Sequence, residues 1–328
     1  MFFRLASVFL ISFAVALLFA PLFFSFSKKI KAKQTILHYV KEHEAKQGTP
    51  TMGGVIFVIS TILVALIFLS GEDYLYSVIS LAVFFAYGLL GFLDDFIKVH
   101  YKQNLGLRAY QKIIGQLGIA LIIAIFVYNS IGGEVFIPFT NKTINLGIGI
   151  IPLVILTYVA TVNSVNLIDG LDGLCTSTSI SYLFFFCVIL LLTFNVRGDL
   201  FAVETQNIII CCFALIGGLF AFLYFNCFPA KMFMGDTGSL AIGGFIASVS
   251  IFTKNILLIP ILGLLFVITS VSDIVQVLYF KKTKKRVFKM APLHHHFQMS
   301  GVHENKVVFS YFAISLLVNL ITCLFYVV

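Results

Sequence analysis

The sequence predicts an all-α, polytopic integral membrane protein with about ten transmembrane helices, both termini outside. Three observations carry this prediction. Sixty per cent of the 328 residues are hydrophobic and 11% are charged, against roughly 45–50% and 25% in soluble domains. With a mean hydropathy of +1.04, there is too little polar surface to cover a water-soluble core. The apolar residues fall into ten runs near the ~20 residues that a helix needs to cross a bilayer. The Lys and Arg residues collect in alternate connecting loops, as the positive-inside rule requires of a protein that crosses the bilayer repeatedly.

The runs follow in order. Residues 2–26 are long enough to span, and no small-residue cleavage site follows them, so they read as a first transmembrane helix rather than a cleaved signal. Runs 53–70 and 74–93 are separated by the acidic turn Glu72-Asp73, and runs 113–131 and 146–165 flank a polar loop with Glu134 and Lys142. Runs 178–194 and 208–225 enclose Arg197, Asp199 and Glu204; run 239–253 is short, and runs 256–280 and 307–328 complete the set. All should be helices, because only helices and closed barrels satisfy backbone polar groups in lipid and the ten-residue alternation of a barrel is missing. A single domain over 1–328 is expected.

Even parity puts both termini on one side, and 18 of the 22 Lys and Arg lie in the loops of the opposite side. That side is therefore read as cytoplasmic. The net charge of +8 thus describes orientation and contact with anionic membrane lipids, not a nucleic-acid surface; no nucleic acid is expected as a partner. The six cysteines sit in or beside apolar stretches without CxxC spacing and read as core residues.

Five aspartates, Asp94, Asp95, Asp169, Asp172 and Asp236, lie at the cytoplasmic ends of three spans. Ionisable residues gathered at span ends on one side mark a candidate active site at the cytoplasmic face. Four blocks compose it. Asp94 shares a helical face with Lys98 and Lys102, and Asp95 lies three residues from Lys98. Two carboxylates with two ammoniums can hold a divalent cation and phosphate oxygens, or leave one carboxylate free to take a proton.

In the second block Asn163, Asn166, Asp169 and Asp172 recur every three residues, with Gly170 and Gly173 interrupting the helix. Such a polar rim suits a nucleotide base or sugar, or a hard cation; the spacing is not that of an EF-hand. The third, residues 225–239, places Asp236, Thr237 and Ser239 where a helix running outward begins, with its free N–H groups toward the cytoplasm. That end favours a phosphate–metal pair, without the Walker A pattern. The fourth is His294-His295-His296. Consecutive side chains splay too widely to share one ion easily, so the imidazoles suit phosphate donation or proton transfer.

Taken with Gly48-Thr49-Pro50-Thr51-Met52-Gly53-Gly54 and Phe233-Met234-Gly235-Asp236-Thr237-Gly238-Ser239, these blocks resemble the polyprenyl-phosphate N-acetylhexosamine-1-phosphate transferase superfamily, in matching order along nearly the whole chain. The triple histidine resembles the branch that transfers phospho-MurNAc-pentapeptide. That resemblance implies transfer from UDP-MurNAc-pentapeptide to undecaprenyl phosphate, with Mg²⁺, yielding lipid I and UMP for peptidoglycan synthesis, by a homodimer at the bacterial inner membrane.

By the same resemblance Asp236 is the expected Mg²⁺ ligand, Asp94 and Asp95 engage or deprotonate the lipid phosphate, and His295 joins them as a catalytic group. Lys46, Asn166, Asp169, Asp172, Asn226, Phe233 and Gly235 correspond to the nucleotide-binding set, with Phe233 suited to stack on uracil, and Thr51 and Asn163 are further expected substrate-binding residues. Lys98, Lys102, Lys112, Gln276, His294 and His296 correspond to residues around the diphosphate and sugar. The chain departs from the pattern at Gln298, where Glu is common, at Ile168 and Cys175, and in having no Trp. Two other readings stay open. One is a sister transferase moving GlcNAc-1-phosphate from UDP-GlcNAc to a polyprenyl phosphate. The other is a cation or nucleotide-sugar transporter, which would place its acidic groups near the midplane beside broken helices.

Overall fold

The computed structural model describes residues 1–29, 48–101, 106–140, 142–193 and 202–327. Its helices are α1 (Phe2–Lys29), α2 (Gly54–Phe68), α3 (Leu75–His100), α4 (Ala109–Ser130), α5 (Ile150–Ile168), α6 (Leu174–Thr193), α7 (Ala202–Asn226), α8 (Gly235–Phe252), α9 (Ile259–Leu262), α10 (Leu264–Thr283), α11 (Leu293–Gln298) and α12 (Glu304–Val327). Among the described residues nine helices are long and apolar enough to cross a membrane, and α2 is a shorter apolar helix of 15 residues. The fold is therefore all-α and multi-pass. The run read as shortest, 239–253, is extended by one turn because Gly235 and Asp236 join α8.

Most helices run a few residues past the apolar runs, and two features are absent from the hydropathy reading. The run 256–280 is not one helix: a 3₁₀ turn (Ile256–Leu258) and α9 precede Gly263, after which α10 begins. Hydropathy cannot register that break, because the residues on both sides are equally apolar. The loop after α4 also contains a two-stranded antiparallel hairpin, β1 (Glu134–Phe136) and β2 (Thr143–Asn145), with Val135 opposite Ile144. Lys254 secures it, its Nζ 2.6 Å from Glu134 and its carbonyl accepting from the Phe136 N–H at 2.9 Å.

Helix α8 forms the centre of the bundle, packed most extensively against α3 and then α5, while α1 and α2 pack on α7 and α12 packs on α6. Its sequence is rich in Gly, Ala and Ser, which lets neighbouring backbones come close where lipid supplies no hydrophobic drive. At Gly91 and Gly54, among other positions, the contact excludes any side chain. A Cβ on Gly91 of α3 would overlap the Asp236 carbonyl, and one on Gly54 of α2 would overlap the Gly238 backbone.

Buried polar pairs add direction to this packing. Tyr158 and Ser248 hydroxyls lie 2.9 Å apart, Tyr182 and Ser250 3.1 Å apart, and Asn319 donates to Ser181 at 3.1 Å. Five cysteines are buried and Cys227 is exposed.

Candidate active site

Two helix ends and two helix starts meet at the site. α3 brings Asp94, Asp95 and Lys98 in its last two turns, α4 brings Lys112 in its first, α5 brings Asn166 in its last, and α8 opens with Asp236 and Thr237. Asp94, Asp95 and Asp236 each offer a carboxylate oxygen, and these lie within 4.8 Å of one another.

Asp236 is the hub. Its Oδ2 receives Lys112 Nζ at 2.7 Å and Lys98 Nζ at 3.0 Å, and its Oδ1 accepts from Asn166 Nδ2 at 2.8 Å. Asn166 Nδ2 also lies 2.8 Å from Ser239 Oγ, one turn further along α8. Lys98 additionally pairs with Asp94 Oδ2 at 2.6 Å, the i,i+4 partner on its own helix.

The two adjacent aspartates are held differently. Asp95 caps α8 from another helix: its Oδ2 accepts from the Thr237 N–H at 2.9 Å and the Thr237 hydroxyl at 2.7 Å, while its Oδ1 accepts from the Asp236 N–H at 3.2 Å. Free N–H groups of the first turn, which a local cap would ordinarily take, are thereby satisfied by a carboxylate distant in sequence. Asp94 accepts from the Leu107 N–H through Oδ1 at 2.8 Å. Its buried Oδ2 faces Lys98 in an ion pair whose angles make no hydrogen bond.

Three carboxylates against two ammoniums leave this buried cluster with an excess negative charge, and buried charge requires compensation. Hard oxygen donors in that arrangement suit Mg²⁺. All three carboxylates stand close enough to share one ion, and Asp236, on which both ammoniums and Asn166 converge, is the central one.

The second block folds as a helix end and a turn. α5 stops at Ile168, and Gly173 takes a φ of +79°, which glycine adopts without steric cost. Asp169 stands half-buried in this turn. Burial, reinforced by the negative charges of Asp236, Asp95 and Asp172, holds its carboxyl well above the usual range. A Cβ on the next residue, Gly170, would meet His295 Nε2 at 2.9 Å and would overlap the His294 ring. The histidine block thus closes on the Asn/Asp block.

Other candidate residues are tied into the frame. Asp172 Oδ2 accepts from the Ala230 N–H at 2.9 Å, and its own N–H donates to Glu304 at 2.7 Å. Asn226 accepts from Gly173 and Thr176 and donates to the Met232 carbonyl. Segment 50–54 pairs with 233–234, Phe233 donating to the Pro50 carbonyl and Gly53 to the Phe233 carbonyl, both at 2.9 Å. This leaves Phe233 half-buried, and the buried Thr51 lies against Gly235.

Gln276 spends its carbonyl on the Val287 and Phe288 N–H groups at 3.0 Å, bracing a loop. His296 accepts from the Lys289 N–H at 3.1 Å, and His295 Nδ1 lies 2.8 Å from Gln298 Oε1. His294 is fully buried with neither ring nitrogen hydrogen-bonded. Burial, with the neighbouring His295, keeps its pKa well below the usual imidazole value. Asn163 forms a side-chain pair with Gln116. Lys46 and Lys102 lie outside the described residues.

The sequence reading missed Thr237 as the residue bound to Asp95, Glu304 as the partner of the 172 turn, and Gln116. Gln116 did carry a signal: it is a polar residue one turn after Lys112 within an apolar run. The other two had none, because their partners are more than a hundred residues away.

Comparison with known proteins gives a consistent result. Residues 77–254 match the family "Glycosyl transferase family 4", and residues 46–58 match the first signature of phospho-N-acetylmuramoyl-pentapeptide-transferases. The chain is 44% identical over 309 residues to the phospho-N-acetylmuramoyl-pentapeptide-transferase of Caldanaerobacter subterraneus subsp. tengcongensis, covering 94% of each chain. It is 44% identical over 308 residues to that of Thermoanaerobacter sp. strain X514, again covering 94% of each. It is 44% identical over 321 residues to that of Clostridium botulinum strain Eklund 17B, covering 96% of this chain and 94% of the relative.

Proposed function

Because the chain belongs to glycosyl transferase family 4 and, within it, to the phospho-N-acetylmuramoyl-pentapeptide-transferases, we propose that it transfers phospho-MurNAc-pentapeptide from UDP-MurNAc-pentapeptide to undecaprenyl phosphate. The products are lipid I and UMP, and the setting is peptidoglycan synthesis. The observation that carries the reading is the convergence of Asp94, Lys98, Lys112, Asn166 and Asp236 on one point from four helices. Phosphoryl transfer is mainly positioning and charge neutralisation, and this cluster supplies both.

In the reaction, an oxygen of the lipid phosphate forms a bond to the sugar-linked phosphorus, and the bond from that phosphorus to the UMP oxygen breaks. Asp94 is the better base of the pair. Its Oδ2 takes the proton of the lipid phosphate, whereas the Asp95 oxygens already accept three hydrogen bonds. Lys98 and Lys112 neutralise the diphosphate, and Asn166 orients Asp236. Asp236 would hold Mg²⁺, which would supply Lewis-acid neutralisation of the diphosphate.

Phe233 stacks on uracil, Lys46, Thr51, Asp169 and Gly235 complete the nucleotide pocket, and His294, His295 and His296, with Lys102, serve the sugar phosphate. Asp172, Asn226 and Gln276 act by bracing the loops that form this pocket. The chain works as a single domain, as a homodimer in the bacterial inner membrane, with termini outside and the site facing the cytoplasm; the asymmetry of its basic loops supports that orientation.

The test is UMP release by the purified full-length protein with undecaprenyl phosphate, UDP-MurNAc-pentapeptide and Mg²⁺. Wild type is expected to release UMP and Asp236→Ala to release none. A silent wild type, or an active Asp236→Ala, overturns the reading. Equal turnover of UDP-GlcNAc would favour the sister transferase.

A further inference from the structure

One turn beneath the charged cluster, three of its helices are joined again through a polar layer. Gln116 of α4, fully buried, accepts from Asn163 Nδ2 of α5 at 2.7 Å through its Oε1, while its Nε2 lies 3.4 Å from Asn163 Oδ1. Asn163 Nδ2 also donates to its own helix, at the Val159 carbonyl, at 2.7 Å. From α3, the Tyr87 hydroxyl donates to the Gln116 backbone carbonyl at 3.1 Å, and the Tyr87 ring stacks on Tyr158 of α5 at 5.8 Å. Both amides are thus consumed by each other and by the backbone around them.

The register gives this layer a consequence. Lys112 precedes Gln116 by four residues and Asn166 follows Asn163 by three, so each amide shares a helical face with a residue that holds Asp236. Lys112 grips Oδ2 from α4 and Asn166 grips Oδ1 from α5. The separation and rotation of α4 and α5 at residues 116 and 163 therefore set how both donors meet one carboxylate. A helix transmits that placement over a single turn, about 5.4 Å, almost rigidly.

We propose that Gln116 is a positioning residue for the transfer reaction, and that Asn163 serves as its partner rather than as a nucleotide ligand. The amide pair locks α4 to α5 so that Lys112 and Asn166 hold the two oxygens of Asp236. The proposal rests on the transferase reading above. It predicts an effect on turnover without one on nucleotide affinity, because neither amide is left free to bind substrate.

The experiment measures kcat, KM for UDP-MurNAc-pentapeptide and thermal unfolding of the full-length protein in detergent. The variants are Gln116→Met, Asn163→Leu, their combination, and the exchanged pair Gln116→Asn with Asn163→Gln. Misplacement by about 1 Å can cost about a hundredfold in rate, so kcat is expected to fall about tenfold or more in each single variant, with KM within about twofold. The combination should lose no more than the worse single variant, and the exchanged pair, which can rebuild the contact, should recover most of the rate.

A Gln116→Met enzyme with normal kcat overturns the proposal. So does an Asn163→Leu enzyme whose KM rises while that of Gln116→Met does not, since Asn163 would then bind the nucleotide. So do multiplying losses in the combination. If Gln116→Met does not fold, the exchanged pair decides: recovery supports the lock, and failure overturns it. A wild type that releases no UMP overturns the activity itself, a different outcome from an active wild type with insensitive amides.

Discussion

Lys112 Nζ lies 2.7 Å from Asp236 Oδ2, a contact between the first turn of α4 and the first turn of α8 that spans 124 residues of sequence. With Lys98 at 3.0 Å on the same oxygen, it leaves one carboxylate oxygen shared by two ammoniums. Replacing Lys112 by Met removes one of them and leaves the cluster more negative where a diphosphate must bind. The kcat/KM for UMP release should fall about 10²–10³-fold, the scale of losing one preorganised donor. Lys112→Arg should restore little, since a planar guanidinium is not a substitute for a compact point charge on one carboxylate oxygen.

Asp95 and Asp94 should separate by stability. Asp95→Ala strips the acceptors from two backbone N–H groups and one hydroxyl of α8, each a buried donor worth about 1–3 kcal/mol when left unsatisfied. Asp94→Ala exposes only the Leu107 N–H and loosens Lys98. Thermal unfolding in detergent should therefore show the larger fall for Asp95→Ala. A larger fall for Asp94→Ala would refute the cap.

Gly91→Ala should push α3 from α8, because the added Cβ meets the Asp236 carbonyl rather than a movable side chain. Overpacking of this kind costs about 1–3 kcal/mol, and here it also displaces Asp94 and Asp95 from Asp236. Gly118→Ala is the control, since a Cβ there meets nothing within 4 Å. The first variant should lose melting temperature and activity together, and the second should lose neither.

Asp169→Asn should stabilise the protein at neutral pH while impairing activity. The Asp169 carboxyl is raised by burial and by neighbouring negative charges above its ordinary 3.8. The folded state therefore holds a proton that the unfolded chain releases first, and that stability is lost as pH rises from about 3.8 through the folded value. The Asn variant is neutral throughout. Its advantage in melting temperature should be near zero in acid and grow toward neutral pH; an advantage that shrinks would contradict the shift.

Removing divalent cations with EDTA should abolish UMP release, and adding Mg²⁺ should restore it. Asp236→Asn should resist restoration even at high Mg²⁺, as expected if this carboxylate is a principal ligand. Calcium, larger and less demanding in geometry, should restore less. Undiminished release in EDTA would exclude a divalent requirement.

Much of the site was legible because its residue types are costly within a membrane sequence. Asp94-Asp95, Asp169, Asp172 and Asp236 stand out against apolar runs, and the i,i+4 spacing of Asp94 and Lys98 already implied their 2.6 Å pair. The distribution of labour among these residues was not legible. Asp94 and Asp95 are chemically identical neighbours, yet one faces Lys98 and the other caps α8, because adjacent residues on a helix point about 100° apart. Asn163 and Asn166 likewise look equivalent in sequence, but one turns toward Gln116 and the other toward Asp236.

Composition, the lengths of the apolar runs and the motifs determined by themselves that this is a multi-pass helical protein, and they singled out the residues that the fold gathers into the candidate site. These properties follow from local chemistry: a segment too apolar for water must satisfy its own backbone in lipid, and each such segment declares itself by length. Tertiary structure alone decided the break at Gly263, the hairpin after α4, the capping of α8 by Asp95 and the grip of Lys112 on Asp236. Each of these depends on how closely helices distant in sequence can approach. That is set where Gly91 and Gly54 let backbones touch α8, a property of packed surfaces that no single segment encodes.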